Sequence, residues 1–266
     1  MDLLGKKQLS CRFLEGGLNI QQDFLTHCCV IHEGAVSEGG DASGGTMRGM
    51  PMIGKFEGDV FPADMILAAR KKLKEDIQAG KDTPCGGCHF LKEKVWSENK
   101  YLVTDMTIND WTECNLRCVY CYNQLPEFDE HKRKRATHDL RRLMEDMIAK
   151  NYLSPNSTIH WGGGEVTIYK SFEPVAGRLL QLGTYQIVNT NAINYSRVIE
   201  ESIRRGKMEV QVSVDAGTRE TYLKVKGKDK FEQVWEHISR YALAGEITIK
   251  YIVTEQNTSI TDAVKF

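Results

Sequence analysis

A chain of 266 residues with 41% hydrophobic residues and 23 glycines has room for one large core or two modest ones. With 35 Lys plus Arg against 36 Asp plus Glu, the formal charge is −1, which argues against a cationic nucleic-acid binder. No run of about 18 apolar residues is present to span a membrane. The opening MDLLGKKQLSCRF carries no long apolar stretch behind its positive charges, so no secretory signal and a cytoplasmic protein are expected. In that compartment eight cysteines point to metal or redox chemistry rather than disulfides.

In chain order, residues 11–29 read as a short hairpin-like stretch that starts at Cys11 and ends at Cys28 and Cys29. The glycine-punctuated region from Gly34 to Gly58 is too irregular for regular elements. Residues 63–80 supply a helix, closed by TPCGGC with Cys85 and Cys88. YLVTDMTI (101–108) is a strand by its β-branched and alternating apolar content. Next comes WTECNLRCVYCY, with Cys114, Cys118 and Cys121 inside eight residues. Three thiolates so spaced converge on one centre only from a loop, and their softness suits zinc or iron–sulfur. A structural zinc site wants a fourth ligand, and the nearest candidates, His131 and His138, lie past a polar stretch. Three cysteines without a local fourth fit a cubane whose last iron stays open.

The basic run HKRKR (131–135) reads as a solvated surface, or as a docking patch for an acidic flavodoxin or ferredoxin donor. Residues 136–151 then place Leu140, Leu143, Met144, Met147 and Ile148 at helical spacing. Strands at 157–161, 184–190, 208–214 and 246–253 follow, separated by helices over 171–183, 194–207 and 230–245, with another helix begun in 257–266. That alternation predicts a parallel α/β fold, whose chemistry collects at the carboxyl ends of the strands. The cysteine loop, GGGE (162–165), NTNA (189–192) and SVDAG (213–217) all sit there. Singly each has an ordinary use: glycines turn the chain, Asn189 and Asn191 suit a turn, and Ser213 and Asp215 suit a cap. All four at successive strand ends argue for one site.

Cys114-x3-Cys118-x-Tyr120-Cys121, followed one strand later by Gly163-Gly164-Glu165, resembles the radical S-adenosylmethionine (SAM) superfamily over roughly residues 100–256. The resemblance implies a partial (β/α) TIM-like barrel of five to six parallel strands. It also implies a [4Fe-4S] cluster on Cys114, Cys118 and Cys121, with SAM on the fourth iron. Gly163, Gly164 and Glu165 would receive the methionine amino group. Asn191 would lie near the ribose, Ser213 and Asp215 in the SVDAG contact region, and Lys226 near the methionine carboxylate. One electron would cleave the sulfonium, and the 5′-deoxyadenosyl radical so released would abstract a substrate hydrogen.

Residues 1–95 resemble the auxiliary-cluster domain called SPASM, here placed before the barrel, which would occupy 96–266. Its ligands would be Cys11, Cys28 (or Cys29), Cys85 and Cys88, forming a small irregular α+β iron–sulfur domain. Zinc on the same thiolates, a redox dithiol at Cys85 and Cys88, and the c-type haem pattern CGGCH (85–89) are rival readings. The implied function is an enzyme acting on a peptide or small molecule. Alternatives are a non-catalytic two-cluster electron carrier and a zinc-stabilised interaction module. Barrels of this type usually have six strands, so a chain with five is expected to be truncated after the fifth or closed some other way.

Overall fold

A computed structural model describes residues 6–28, 50–58, 60–97, 100–124 and 138–266. Cys29, His131 and the HKRKR run lie outside the described residues. The chain forms two compact units, one of residues 1–110 with 136–158 and one of 111–135 with 159–266. The expected boundary near residue 95 falls inside the first unit.

In the first unit, β1 (Gln8–Ser10) pairs antiparallel with β5 (Lys92–Lys94). The short helix α1 (Arg12–Gly16) starts at Cys11, whose thiol accepts from Leu14 N at 3.3 Å. Strands β2 (Gly17–Gln21), β3 (Phe24–Thr26) and β4 (Met52–Lys55) run antiparallel in turn. The hairpin expected in 11–29 is therefore present, behind a helical turn. Met52–Lys55 is a strand where no regular element was expected, because pairing with β3 supplies the order its local sequence lacks. β2 also pairs in parallel with β6 (Val103–Asn109), from Gly17 opposite Asp105 to Gln21 opposite Asn109. This parallel strand lies outside the five read from the alternation, since a five-residue strand in a hairpin carries no sign of its second partner.

Helix α2 (Asp64–Gln78) buries Ile66, Arg70 and Ile77. The buried Arg70 guanidinium donates to the carbonyls of Gly17 (2.7 Å), Glu15 (3.3 Å) and Leu102, and burial lowers its pKa to about 10. Asp139 caps α3 (Leu140–Ala149) by accepting from Arg141 N and Arg142 N, and Leu140, Leu143, Met144 and Met147 face inward. β7 (Leu153–Trp161) begins in this unit, where the strand order is β7-β6-β2-β3-β4.

β7 ends in the second unit, where the order is β10-β9-β8-β7. β8 (Tyr185–Thr190), β9 (Met208–Ser213) and β10 (Thr248–Lys250) pair in parallel. Helix α4 (Phe172–Leu182) buries Phe172, Val175 and Leu179; α5 (Arg197–Arg204) buries Ile199 and Ile203; α7 (Phe231–Ala244) buries Val234, Ile238 and Tyr241. Ser196 caps α5 through Ile199 N, as its Asn/Ser start suggests. Two further helices are α6 (Arg219–Lys226) and α8 (Ile260–Lys265). Helix α6 escaped the periodicity because RETYLKVK has no full apolar stripe; Thr218 starts it by accepting from Thr221 N. The expected strand 246–253 stops at Lys250, since Ile252 N donates to Asp215 Oδ1 (2.7 Å) and Thr254 N to Asn257 Oδ1 (2.6 Å) instead of to a ladder. The chain thus adopts the expected α/β architecture with a mostly parallel sheet. No helix among the described residues is long and apolar enough to cross a membrane.

Candidate metal and cofactor site

The loop that follows β6 carries Cys114, Cys118 and Cys121, and backbone hydrogen bonds grip it on two sides. On one side Gly164 N donates to Trp111 O (3.1 Å) and Glu165 N to Glu113 O (2.8 Å). On the other, Arg117 N donates to Lys226 O (3.1 Å) and Val119 N to Val225 O (3.0 Å), so the end of α6 is fastened to the loop. Both glycines are required there. Gly163 has φ +93, and a Cβ on it would strike Trp111 O; a Cβ on Gly164 would strike Glu113 O.

Cys114 is exposed and Cys118 and Cys121 are half-buried, with protein packed around the sulfurs of Cys114 and Cys118. Burial pushes Cys114 up to about 11, with Glu165, Cys118 and Cys121 adding to the rise. Burial also raises Cys118, opposed chiefly by the Lys226 ammonium. Cys114 thus senses both other cysteines of its loop, and Cys118 senses Cys121. Among the described residues no three His, Cys, Asp or Glu side chains form a preformed single-ion cage. A cubane takes each thiolate on a separate iron and needs no such cage.

Glu165 is fully buried, and the protein itself engages both its oxygens. Oε1 accepts from Thr167 N (3.1 Å), Thr167 Oγ1 (2.7 Å) and Thr190 Oγ1 (2.7 Å), while Oε2 accepts from Asn191 N (2.7 Å). Burial raises its pKa against those four donors. Asn191 donates through Nδ2 to Asn115 Oδ1 (2.7 Å), lies 3.8 Å from Cys114 Sγ, and accepts from Ile193 N (3.0 Å). Ser213 ends β9, half-buried. Asp215, with φ +59, is buried and pairs with the equally buried Lys226. Tyr120 Oη donates to Asp215 Oδ2 (2.5 Å) and accepts from Lys226 Nζ (2.8 Å). Ala192 (φ +54) and Asp215 are non-glycine residues held left-handed at the carboxyl ends of β8 and β9, the sort of backbone strain that gathers at functional sites.

In the first unit, Cys11 and Cys85 pack in one apolar cluster with Phe13, Ile77 and Phe90. Burial pushes Cys85 up to about 12, and Cys28, Cys11 and Cys88 each raise it further. Cys11 and Cys85, 74 residues apart in sequence, are thus brought into one cluster.

Residues 108–256 match the Radical SAM superfamily. The chain belongs to that superfamily. It is 26% identical over 193 residues to the Fe-coproporphyrin III synthase of Methanosarcina barkeri, covering 71% of this chain and 45% of that protein. It is 26% identical over 156 residues to a probable GTP 3′,8-cyclase of Saccharolobus islandicus, covering 58% of this chain and 49% of that protein. The chain thus spans about half the length of these curated relatives. Among solved structures, Streptococcus suis SuiB bound to its precursor peptide SuiA aligns with 97% of this chain and 59% of that one, at 12% identity and a TM-score of 0.47. AdoMet-bound anSMEcpe covers 56% of this chain and 44% of that one, at 19% identity and a TM-score of 0.42.

The residues present fit the superfamily's cluster. Besides the three thiols, the Tyr222 hydroxyl is buried with no hydrogen-bond partner among the described residues, and the charges that act on it are those of Cys118, Asp215, Glu165 and Cys114. A buried donor left over beside thiols is what a missing acceptor leaves behind. Of the residues predicted to touch SAM, Gly163, Gly164 and Glu165 border the cysteine loop, and Asn191 reaches its first cysteine. Lys226 and Asp215 face each other and Tyr120. Sequence reading did not single out Thr167, Thr190, Asn115 or Tyr222: Asn115 and Thr190 lie inside the quoted motifs, yet nothing in the sequence marks them as partners of Asn191 and Glu165.

Proposed function

We propose that this radical SAM protein reductively cleaves SAM and abstracts a hydrogen atom from a peptide or small-molecule substrate. The observation that carries the proposal is the cysteine loop itself: three thiols within eight residues after a strand's carboxyl end, gripped by Gly164 and Glu165 and lying in the family-matched region. Cys114, Cys118 and Cys121 would hold a [4Fe-4S] cluster. When bound, it supplies the electron that splits the SAM sulfonium into methionine and a 5′-deoxyadenosyl radical.

The chain's own residues set the stage for that chemistry. Gly163 and Gly164 let backbone approach the loop closely, as no side-chain-bearing residue can. Glu165 ties the end of β8 to the turn after β7 through Thr190, Asn191 and Thr167, holding the site's floor in one geometry.

In the first unit, Cys11, Cys28, Cys85 and Cys88 would bind an auxiliary iron–sulfur cluster, a reading supported by the packing of Cys85 against the cluster that holds Cys11. An acidic flavodoxin or ferredoxin in the cytoplasm would supply electrons.

Anaerobic reconstitution with iron and sulfide counting, followed by a dithionite-driven 5′-deoxyadenosine assay, tests the reading. Two clusters and product formation are expected, with one cluster lost in Cys85→Ala/Cys88→Ala. Full assembly without SAM cleavage overturns the enzyme in favour of an electron carrier, and zinc with little iron overturns it in favour of an interaction module.

A further inference from the structure

Lys226 and Asp215 form an ion pair with side chains 1% and 0% exposed. Desolvation of two such charges roughly offsets their attraction, so stability alone is a weak reason for keeping them. Their position is more telling. Tyr120, the residue just before Cys121, bridges the pair by donating to Asp215 Oδ2 (2.5 Å) and accepting from Lys226 Nζ (2.8 Å). The hydrogen bonds Arg117 N→Lys226 O and Val119 N→Val225 O fix the end of α6 against the residues on either side of Cys118. Gly227, at φ +71, ends the helix so close to the loop that a Cβ on it would come within 2.9 Å of Arg117 O. Asp215 is anchored independently, its Oδ1 accepting from Ile252 N (2.7 Å) and its carbonyl from Asn257 Nδ2 (2.8 Å). One buried cation, one buried anion and one phenol therefore stand together against the loop segment that carries Cys118.

We propose that Lys226, Asp215 and Tyr120 are positioning residues that set the reduction potential of the cluster on the cysteine loop, with Lys226 holding it up and Asp215 holding it down. The proposal rests on the loop carrying a [4Fe-4S] cluster. Reduction adds negative charge to the cluster, so a nearby ammonium favours the reduced state and a nearby carboxylate disfavours it, and hydrogen bonding near the sulfurs is one of the protein's levers on potential. That order follows from the fold: the end of α6 that carries Lys226 is fastened to the residues on either side of Cys118, whereas Asp215 meets the loop through Tyr120. Lys226 is thereby assigned to the cluster loop rather than to the SAM carboxylate.

The test is an EPR-monitored redox titration of the reconstituted full-length chain, read on the signal that changes shape when SAM is added. Lys226→Met is expected to weaken reduction at least tenfold, about 59 mV for one electron. Asp215→Asn is expected to favour it by a similar factor, since Asn tolerates the left-handed backbone. Tyr120→Phe removes a single hydroxyl and should weaken reduction about threefold, which keeps the idea testable should Lys226→Met misfold. Lys226→Arg should restore the wild-type value to within threefold. Shifts of the same sign in Lys226→Met and Asp215→Asn, or none beyond threefold with the cluster intact, overturn the proposal and leave the enzyme reading standing. So does a tenfold loss of SAM affinity in Lys226→Met at unchanged potential. A wild-type chain that assembles no cluster overturns both readings.

Discussion

Replacing Gly164 by alanine tests the packing on which the cysteine loop depends. The added Cβ would strike Glu113 O and come within 2.7 Å of the carbonyl carbons of Glu113 and Thr112. These are backbone atoms of the loop, so no flexible side chain can swing aside. Relief requires the loop to retreat, breaking Gly164 N→Trp111 O and Glu165 N→Glu113 O. Two hydrogen bonds at about 1 kcal/mol each and overpacking of about 1 kcal/mol or more give a loss near 3 kcal/mol. For a chain of this size that lowers Tm by about 6–12 °C. Gly177, in the middle of α4, is the internal control: a Cβ there meets only Val198 Cγ2, at 3.8 Å. Gly177→Ala should therefore gain about 0.5–1 kcal/mol from helix propensity. Differential scanning calorimetry reads both, and iron per chain after reconstitution should fall only in Gly164→Ala. A Gly164→Ala protein within 2 °C of wild type and with full iron would refute the loop packing described above.

Arg70→Met should cost about 3–5 kcal/mol by urea denaturation, because the carbonyls of Glu15, Gly17 and Leu102 lose their shared donor. Arg70→Lys should recover less than half, since one ammonium cannot span the three; full recovery would show that only the charge matters. Asp262 is pushed up by burial but held lower overall by Gly217 N (2.9 Å), Thr218 (2.7 Å), Thr221 and Tyr251 (2.8 Å). Its folded pKa lies below the unfolded value, so its stabilisation is complete above about pH 4 and fades as pH falls through the folded value. The stability gap between wild type and Asp262→Ala should accordingly narrow below pH 4, and a gap that widens in acid would exclude this carboxylate role.

Local spacing alone determined much of this protein. Cys114, Cys118 and Cys121 could only share a loop, and the alternation of apolar runs could only make parallel α/β structure, because both patterns are covalent and repeat over a few residues. Gly163, Gly164 and Glu165 were marked by the same logic, as a motif at a strand end. The tertiary structure decided what those residues touch. Glu165 meets Thr190 and Asn191 a full helix later, Lys226 meets Tyr120 across 106 residues, and β2 finds β6 with no sign of that pairing in its own sequence. Cys85 joins Cys11 by the same kind of closure. Burial and long-range hydrogen bonding belong to partners brought together by folding. A charged residue such as Lys226 therefore reads in sequence as a cofactor ligand or a solvated face, and only the closed core makes it a fixed charge paired with Asp215 and Tyr120.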